Sequence, residues 1–165
     1  MCLRLMQTTA NNQAGFTLLE ILLVVAAIGI LAGIVIVALN PGRQLGDTRD
    51  AQRQSNVTTV LNALNQYAID NNGSLPSDID DDSSSYQMLG TAGSNCDSAC
   101  DAVTTESECA DVSGELAPTY VADIPTDPQN GSTTMTGYYV NQTDAGRVTV
   151  GACSPEQASE IEVTR

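Results

Sequence analysis

Nineteen consecutive residues, Ile21 to Leu39, carry no charged or strongly polar side chain. As a helix rising 1.5 Å per residue, this run spans about 28 Å, close to the hydrocarbon thickness of a bilayer. That length is enough to cross a membrane. An ordinary secretory signal has an apolar core of about 7–15 residues followed by a small-residue cleavage site, and this core is longer. Hydropathy alone therefore describes a plain membrane anchor, preceded by a mostly polar stretch, Met1–Gly15, with one basic residue (Arg4) and no acid.

The remaining chain has room for one domain. With one Phe, five Tyr and no Trp among 165 residues, its core must be mainly aliphatic. Twenty acidic residues face six basic ones, all Arg, for a net charge of −14. Such a surface repels phosphate backbones, so no direct nucleic-acid binding is expected. The lack of His and Lys removes the commonest general base, the commonest nitrogen ligand for metals and every Schiff-base role. No pair of catalytic carboxylates stands out either, and the chain is expected not to be an enzyme.

Cys2 lies near the start, whereas Cys96, Cys100, Cys109 and Cys153 lie in the C-terminal two-thirds. Four cysteines there point to disulfides and an oxidising compartment. Zinc is the rival reading, but His is absent and the spacing lacks paired C-x-x-C knuckles. The three ways of pairing four cysteines remain open.

Asn40-Pro41-Gly42 ends the apolar run and predicts a kink or short break, because Pro removes a backbone donor and disfavours helix before it. Val57, Val60, Leu61, Leu64, Tyr67 and Ala68 then recur at three-to-four spacing, while Asn56, Asn62, Asn65 and Gln66 fall on other faces. That pattern predicts an amphipathic helix over about 43–72, stopped by Asn71-Asn72-Gly73 with Pro76 beyond. Residues 77–117, rich in Ser, Asp, Gly and Cys, read as a long loop region stapled by disulfides. Residues 137–141 and 147–152 read as strands around a turn at Asp144-Ala145-Gly146, with an additional edge strand at Ile161 and Val163. A hairpin packed on the amphipathic helix is the simplest core.

The feature that hydropathy does not explain is Glu20, at the head of the apolar run in Gly15-Phe16-Thr17-Leu18-Leu19-Glu20. An acid at the centre of a membrane helix costs about 2.5–3.5 kcal/mol on insertion scales, less near its end. Glu20 is therefore either solvated at the headgroups or matched by a cation. This junction resembles the prepilin signal of type IV pilins and of the related pseudopilins of type II secretion and competence systems. Ala38-Leu39-Asn40-Pro41, Arg49-Asp50-Ala51-Gln52-Arg53, Tyr67 with Asp70–Pro76, and Ile124-Pro125-Thr126-Asp127-Pro128 followed by Tyr138-Tyr139-Val140 extend the resemblance. It is poor across about 77–117.

The resemblance implies an α+β, pilin-like fold: a long N-terminal helical spine whose C-terminal half packs on a small antiparallel sheet. It divides the chain into a cleaved leader (1–15), an apolar transmembrane and assembly helix (16–40), an amphipathic helix with first loop (41–76), and a disulfide-stapled loop region with sheet (77–165). A prepilin peptidase would cut between Gly15 and Phe16 and methylate the Phe16 amine, and Glu20 would engage that amine on a neighbouring subunit. Methylation preserves the amine's charge, so the buried carboxylate would meet a cation. The implied function is a structural subunit of a type IV pilus serving adhesion or motility. Its alternatives are a major pseudopilin of a secretion or competence system and a membrane-anchored binding domain that does not polymerise. The implied partners are identical subunits, the peptidase, an inner-membrane assembly platform and minor pilins. The chain would reside in the membrane first and in an extracellular filament afterwards.

Three features depart from the family. The leader has a single basic residue, whereas Arg43, Arg49 and Arg53 follow the span. The positive-inside rule alone would place the C-terminal part in the cytoplasm, yet the cysteines and the junction both require export. The apolar helix also lacks the internal Pro of many pilins. Finally, some major pseudopilins bind calcium in a late loop, for which Asp123, Asp127 and Asp144 are the candidate oxygen ligands. Solvated loop acids are the preferred reading of these three, so no cofactor is expected.

Overall fold

The computed structural model describes residues 15–165. Apart from Gly15, the expected leader therefore lies outside the described residues, as does Cys2. The chain divides after Pro41 into two compact units.

The first unit contains one helix, α1 (Leu18–Leu39), of 22 residues. Thr17 is its N-cap: the Thr17 hydroxyl accepts from the Glu20 backbone N–H at 3.2 Å, satisfying one of the orphan donors of the first turn. The helix ends at Asn40, in the left-handed conformation with φ 40°, which Asn tolerates better than most residues. The expected break is thus a single residue, and Pro41 starts the next helix at the position where its missing N–H costs least. No residue of α1 is buried. A helix apolar all round and exposed all round is built for lipid or for other helices, not for a water-facing surface.

The second unit is built on α2 (Pro41–Asp70) and a four-stranded antiparallel sheet. The strands β1 (Gln87–Met88), β2 (Tyr138–Gln142), β3 (Val148–Ala152) and β4 (Glu162–Thr164) lie in the order β1-β2-β3-β4. Strands β2 and β3 form the expected hairpin, with Tyr138 opposite Ala152 and Val140 opposite Val150. The expected edge strand is β4, pairing Val163 with Val150. Val57, Val60, Leu61 and Leu64 of α2 are buried with Tyr138, Val140, Val150 and Ile161, the contact that the three-to-four spacing predicts.

Residues 77–117 are more than a stapled loop. They supply β1, a turn of 3₁₀ helix at Cys96–Ser98 and a short helix, α3 (Ser113–Leu116). Met88, Leu89, Ala110, Val112 and Leu116 from this stretch are fully or almost fully buried. Their apolar positions follow no helical or strand period because isolated bridges, Tyr86 to Thr105 and Leu89 to Ala110, hold much of the segment. The segment also covers the sheet face turned away from α2, where Met88, Cys96, Tyr139 and Cys153 cluster. Both sheet faces are therefore buried, and β3 is buried at all five positions. Gly151 lies directly opposite Tyr139, whose ring occupies the space where a Cβ would stand, so only Gly fits there.

Candidate processing and assembly site

Gly15, Phe16 and Glu20 occupy the entry to α1, and all three are exposed, Phe16 at 78%. An added Cβ at Gly15 would meet nothing within 4 Å, so the position is sterically open from the chain's own side. Glu20 sits in the first turn of α1, where unpaired N–H groups favour a negative charge. Thr17 was not among the residues singled out from the sequence. The T-x-x-E spacing of Thr17 and Glu20 is a helix-start signature that would have found it. The junction thus presents an open backbone at Gly15–Phe16, a capped helix start and a carboxylate one turn in.

The second unit carries a charge cluster that sequence reasoning did not assemble. Arg53 is fully buried at the centre of three carboxylates. Its Nε donates to Asp127 Oδ2 at 2.6 Å and its Nη2 to Asp127 Oδ1 at 3.1 Å. Its Nη1 donates to Asp50 Oδ1 at 2.8 Å and to Glu156 Oε1 at 2.9 Å. Arg49, one turn earlier on α2, also donates from Nε and Nη2 to Glu156. Asp50 accepts the backbone N–H groups of Glu156, Gln157 and Ala158, the last two at 2.6 and 2.9 Å. One helix face thereby gathers two late loops, the one holding Asp127 and the one following β3. Among the described residues no buried side-chain nitrogen or oxygen is left without a partner, which is the condition for such a cluster to be stable.

Burial would raise the Asp50 carboxyl, but the N–H groups of Ala158, Glu156 and Gln157, with Arg53, hold it at about 2. Arg49 and Arg53 hold Glu156 at about 2 against burial. Burial likewise pushes the Asp127 carboxyl up, and Arg53 with the Gln129 and Asn130 N–H groups more than offsets this, so Asp127 too is lowered. Depressed carboxyls contribute stability that is complete above the unfolded value near pH 4 and is lost as pH falls through the folded value. Near-UV circular dichroism melts at stepped pH are therefore expected to show a constant contribution from this cluster between pH 5 and 7. The midpoint should fall steeply between about pH 4 and pH 2. A midpoint unchanged at pH 2 would contradict the assignment.

The reading of Asp127 as a solvated loop acid is corrected: it is 5% exposed and ion-paired to Arg53. Its sequence neighbourhood, Pro125 to Pro128, looks like an open turn, and only the tertiary fold brings Arg53 to it. The described structure does not gather Asp123, Asp127 and Asp144 into one cluster. Asp123 accepts its neighbour's N–H (Ile124, 2.9 Å), and Asp144 is exposed in the β2–β3 turn. Among the described residues no group of three or more acidic or Cys side chains is disposed to hold a metal ion. Asp127 already accepts two guanidinium donors and the N–H groups of Gln129 and Asn130, at 2.9 and 3.1 Å. Three of these donors fall on Oδ1 and one, the Arg53 Nε, on Oδ2.

The four late cysteines pair as Cys96–Cys109 and Cys100–Cys153. The second disulfide joins the covering segment to the residue that follows β3, three positions before Glu156, so both devices act on the same loop.

The prokaryotic N-terminal methylation motif matches residues 10–36. Type II secretion system core protein G of Aeromonas hydrophila is 40% identical over 62 residues, 38% of this chain and 42% of that protein. The protein of the same name in Escherichia coli K12 is 39% identical over 61 residues, covering 37% and 41%. That of Vibrio cholerae is 43% identical over 64 residues, covering 37% and 40%. The chain spans about two-fifths of the length of these curated relatives. No solved structure matches it. The methylation motif at the junction, the exposed apolar helix behind it and the helix-on-sheet α+β domain are together what this chain shares with the type IV pilin and pseudopilin family.

Proposed function

We propose that the chain is a pseudopilin, the filament-forming subunit of a type II secretion apparatus. The carrying observation is the junction Gly15–Glu20 heading a helix with no buried residue, in a chain whose relatives are named as secretion core proteins. A peptidase cuts after Gly15 and methylates Phe16, and α1 anchors the subunit in the membrane until assembly. There Glu20 of one subunit meets the Phe16 amine of the next, a pairing that two desolvated charges require. Identical subunits, an inner-membrane platform and minor pilins are its partners in this reading. The family is a structural one, which accords with a chain lacking His and Lys.

Intact-mass analysis of the wild-type protein from its native cells is expected to show an N-terminus at methylated Phe16, and retention of residues 1–15 would sink the reading. Glu20→Ala is expected to leave a processed, membrane-inserted subunit whose filament yield, measured by shearing and immunoblot, falls several-fold. Normal filaments from that variant would refute the role of Glu20. The two disulfides on the outer sheet face favour a second reading, an exposed type IV pilus. Loss of secreted hydrolases on deletion, with surface filaments retained, decides for secretion; the reverse decides for the pilus.

A further inference from the structure

We infer that the cation organising the late loops of this domain is the guanidinium of Arg53, carried covalently on α2, and that the domain takes no divalent ion there. A bridging metal would gather oxygens from segments remote in sequence and neutralise their charge. Arg53 does both, joining its own helix face through Asp50 to Asp127, 74 residues away, and Glu156, 103 residues away.

The planar guanidinium fork suits this bridging role. Its Nε and Nη2 take both oxygens of Asp127, and Nη1 is shared between Asp50 and Glu156, the bidentate geometry that Lys lacks. Guanidinium stays protonated throughout the accessible pH range. The three carboxylates keep few free lone pairs, since Asp50 and Asp127 also accept backbone N–H groups and Glu156 accepts Arg49. A calcium ion seeking six to eight oxygens would have to displace these donors and evict a buried charge of the same sign. Arg53 and its three partners all lie in the second unit, so their role is independent of the filament reading.

The test melts the full-length chain in detergent micelles, followed by near-UV circular dichroism, in millimolar EGTA and in millimolar calcium. A site of micromolar affinity would raise the midpoint by about 10 °C in calcium. The wild-type chain is expected to shift by less than about 1 °C. A rise of several degrees in calcium, reversed by EGTA, would overturn the inference. Arg53→Gln, which leaves Asp50, Asp127 and Glu156 without their central cation, is expected to melt about 10 °C lower than wild type in EGTA. A variant melting with the wild type would equally overturn it, and one too unstable to fold in EGTA would support it.

Discussion

Asp50→Ala is expected to cost about 3–5 kcal/mol, the range seen when one partner of a buried, hydrogen-bonded ion pair is removed. Two losses combine. Arg53 loses one of three carboxylates, and the N–H groups of Glu156, Gln157 and Ala158 lose the acceptor that orients the loop after β3. These N–H groups belong to exposed or half-exposed residues, so water takes up part of their loss and the larger share of the cost falls on buried Arg53. Asp47→Ala is the control: it lies on the same helix but is exposed, so its effect should stay within about 0.5 kcal/mol. Urea unfolding of the full-length chain in detergent, followed by near-UV circular dichroism, measures both. Equal midpoints for the two variants would remove the cluster from the account of stability.

Replacing Cys100 and Cys153 by Ala is expected to cost about 4 kcal/mol, because their bond closes a separation of 53 residues and loop-closure entropy grows with the logarithm of that length. Replacing Cys96 and Cys109, 13 residues apart, should cost about 3 kcal/mol by the same relation. The sites of loosening differ as well. Loss of Cys100–Cys153 frees the covering segment from β3, so hydrogen exchange should rise first around Met88 and Tyr139, which pack beside it. Val57 to Leu64 on α2, buried against the other sheet face, should keep their protection. Greater damage from losing the shorter loop would contradict the entropic account, and so would α2 exchanging first.

These two results bear on the same loop from opposite ends. Residues 154–158 have no regular structure of their own. They are held by a covalent bond at Cys153 and by ionic contacts at Glu156, with Asp50 receiving the backbone between Glu156 and Ala158. A largely aliphatic domain with neither Phe nor Trp, since the only Phe is Phe16 ahead of α1, gains from such staples what larger aromatic packing would otherwise supply. The acidity of the chain fits this design in one respect: most acids are solvated, while Asp50 and Asp127 are spent on a buried cation.

Periodic and local features were legible without a structure. The apolar run, the break at Asn40, the amphipathic face of α2 and the β2–β3 hairpin all follow from interactions between residues close in sequence: backbone sterics, 3.6- and 2-residue periods and turn chemistry. Glu20 was legible for the same reason, since a charge heading an apolar run is conspicuous against its immediate neighbours. Thr17 is equally local, because its capping bond reaches only three residues along the chain.

What the tertiary structure alone decided lies across long separations. Strand β1 is two residues long, too short for a period, and exists because β2 offers it an edge. The cysteine pairing follows from where the covering segment crosses the sheet, which spacing does not encode. Arg53 read as one more charge after a membrane span, and Asp127 as a turn acid, because nothing within a few residues of either records the other. Their union depends on folding α2 against the sheet, where desolvation turns two ordinary surface residue types into a pair that neither can leave.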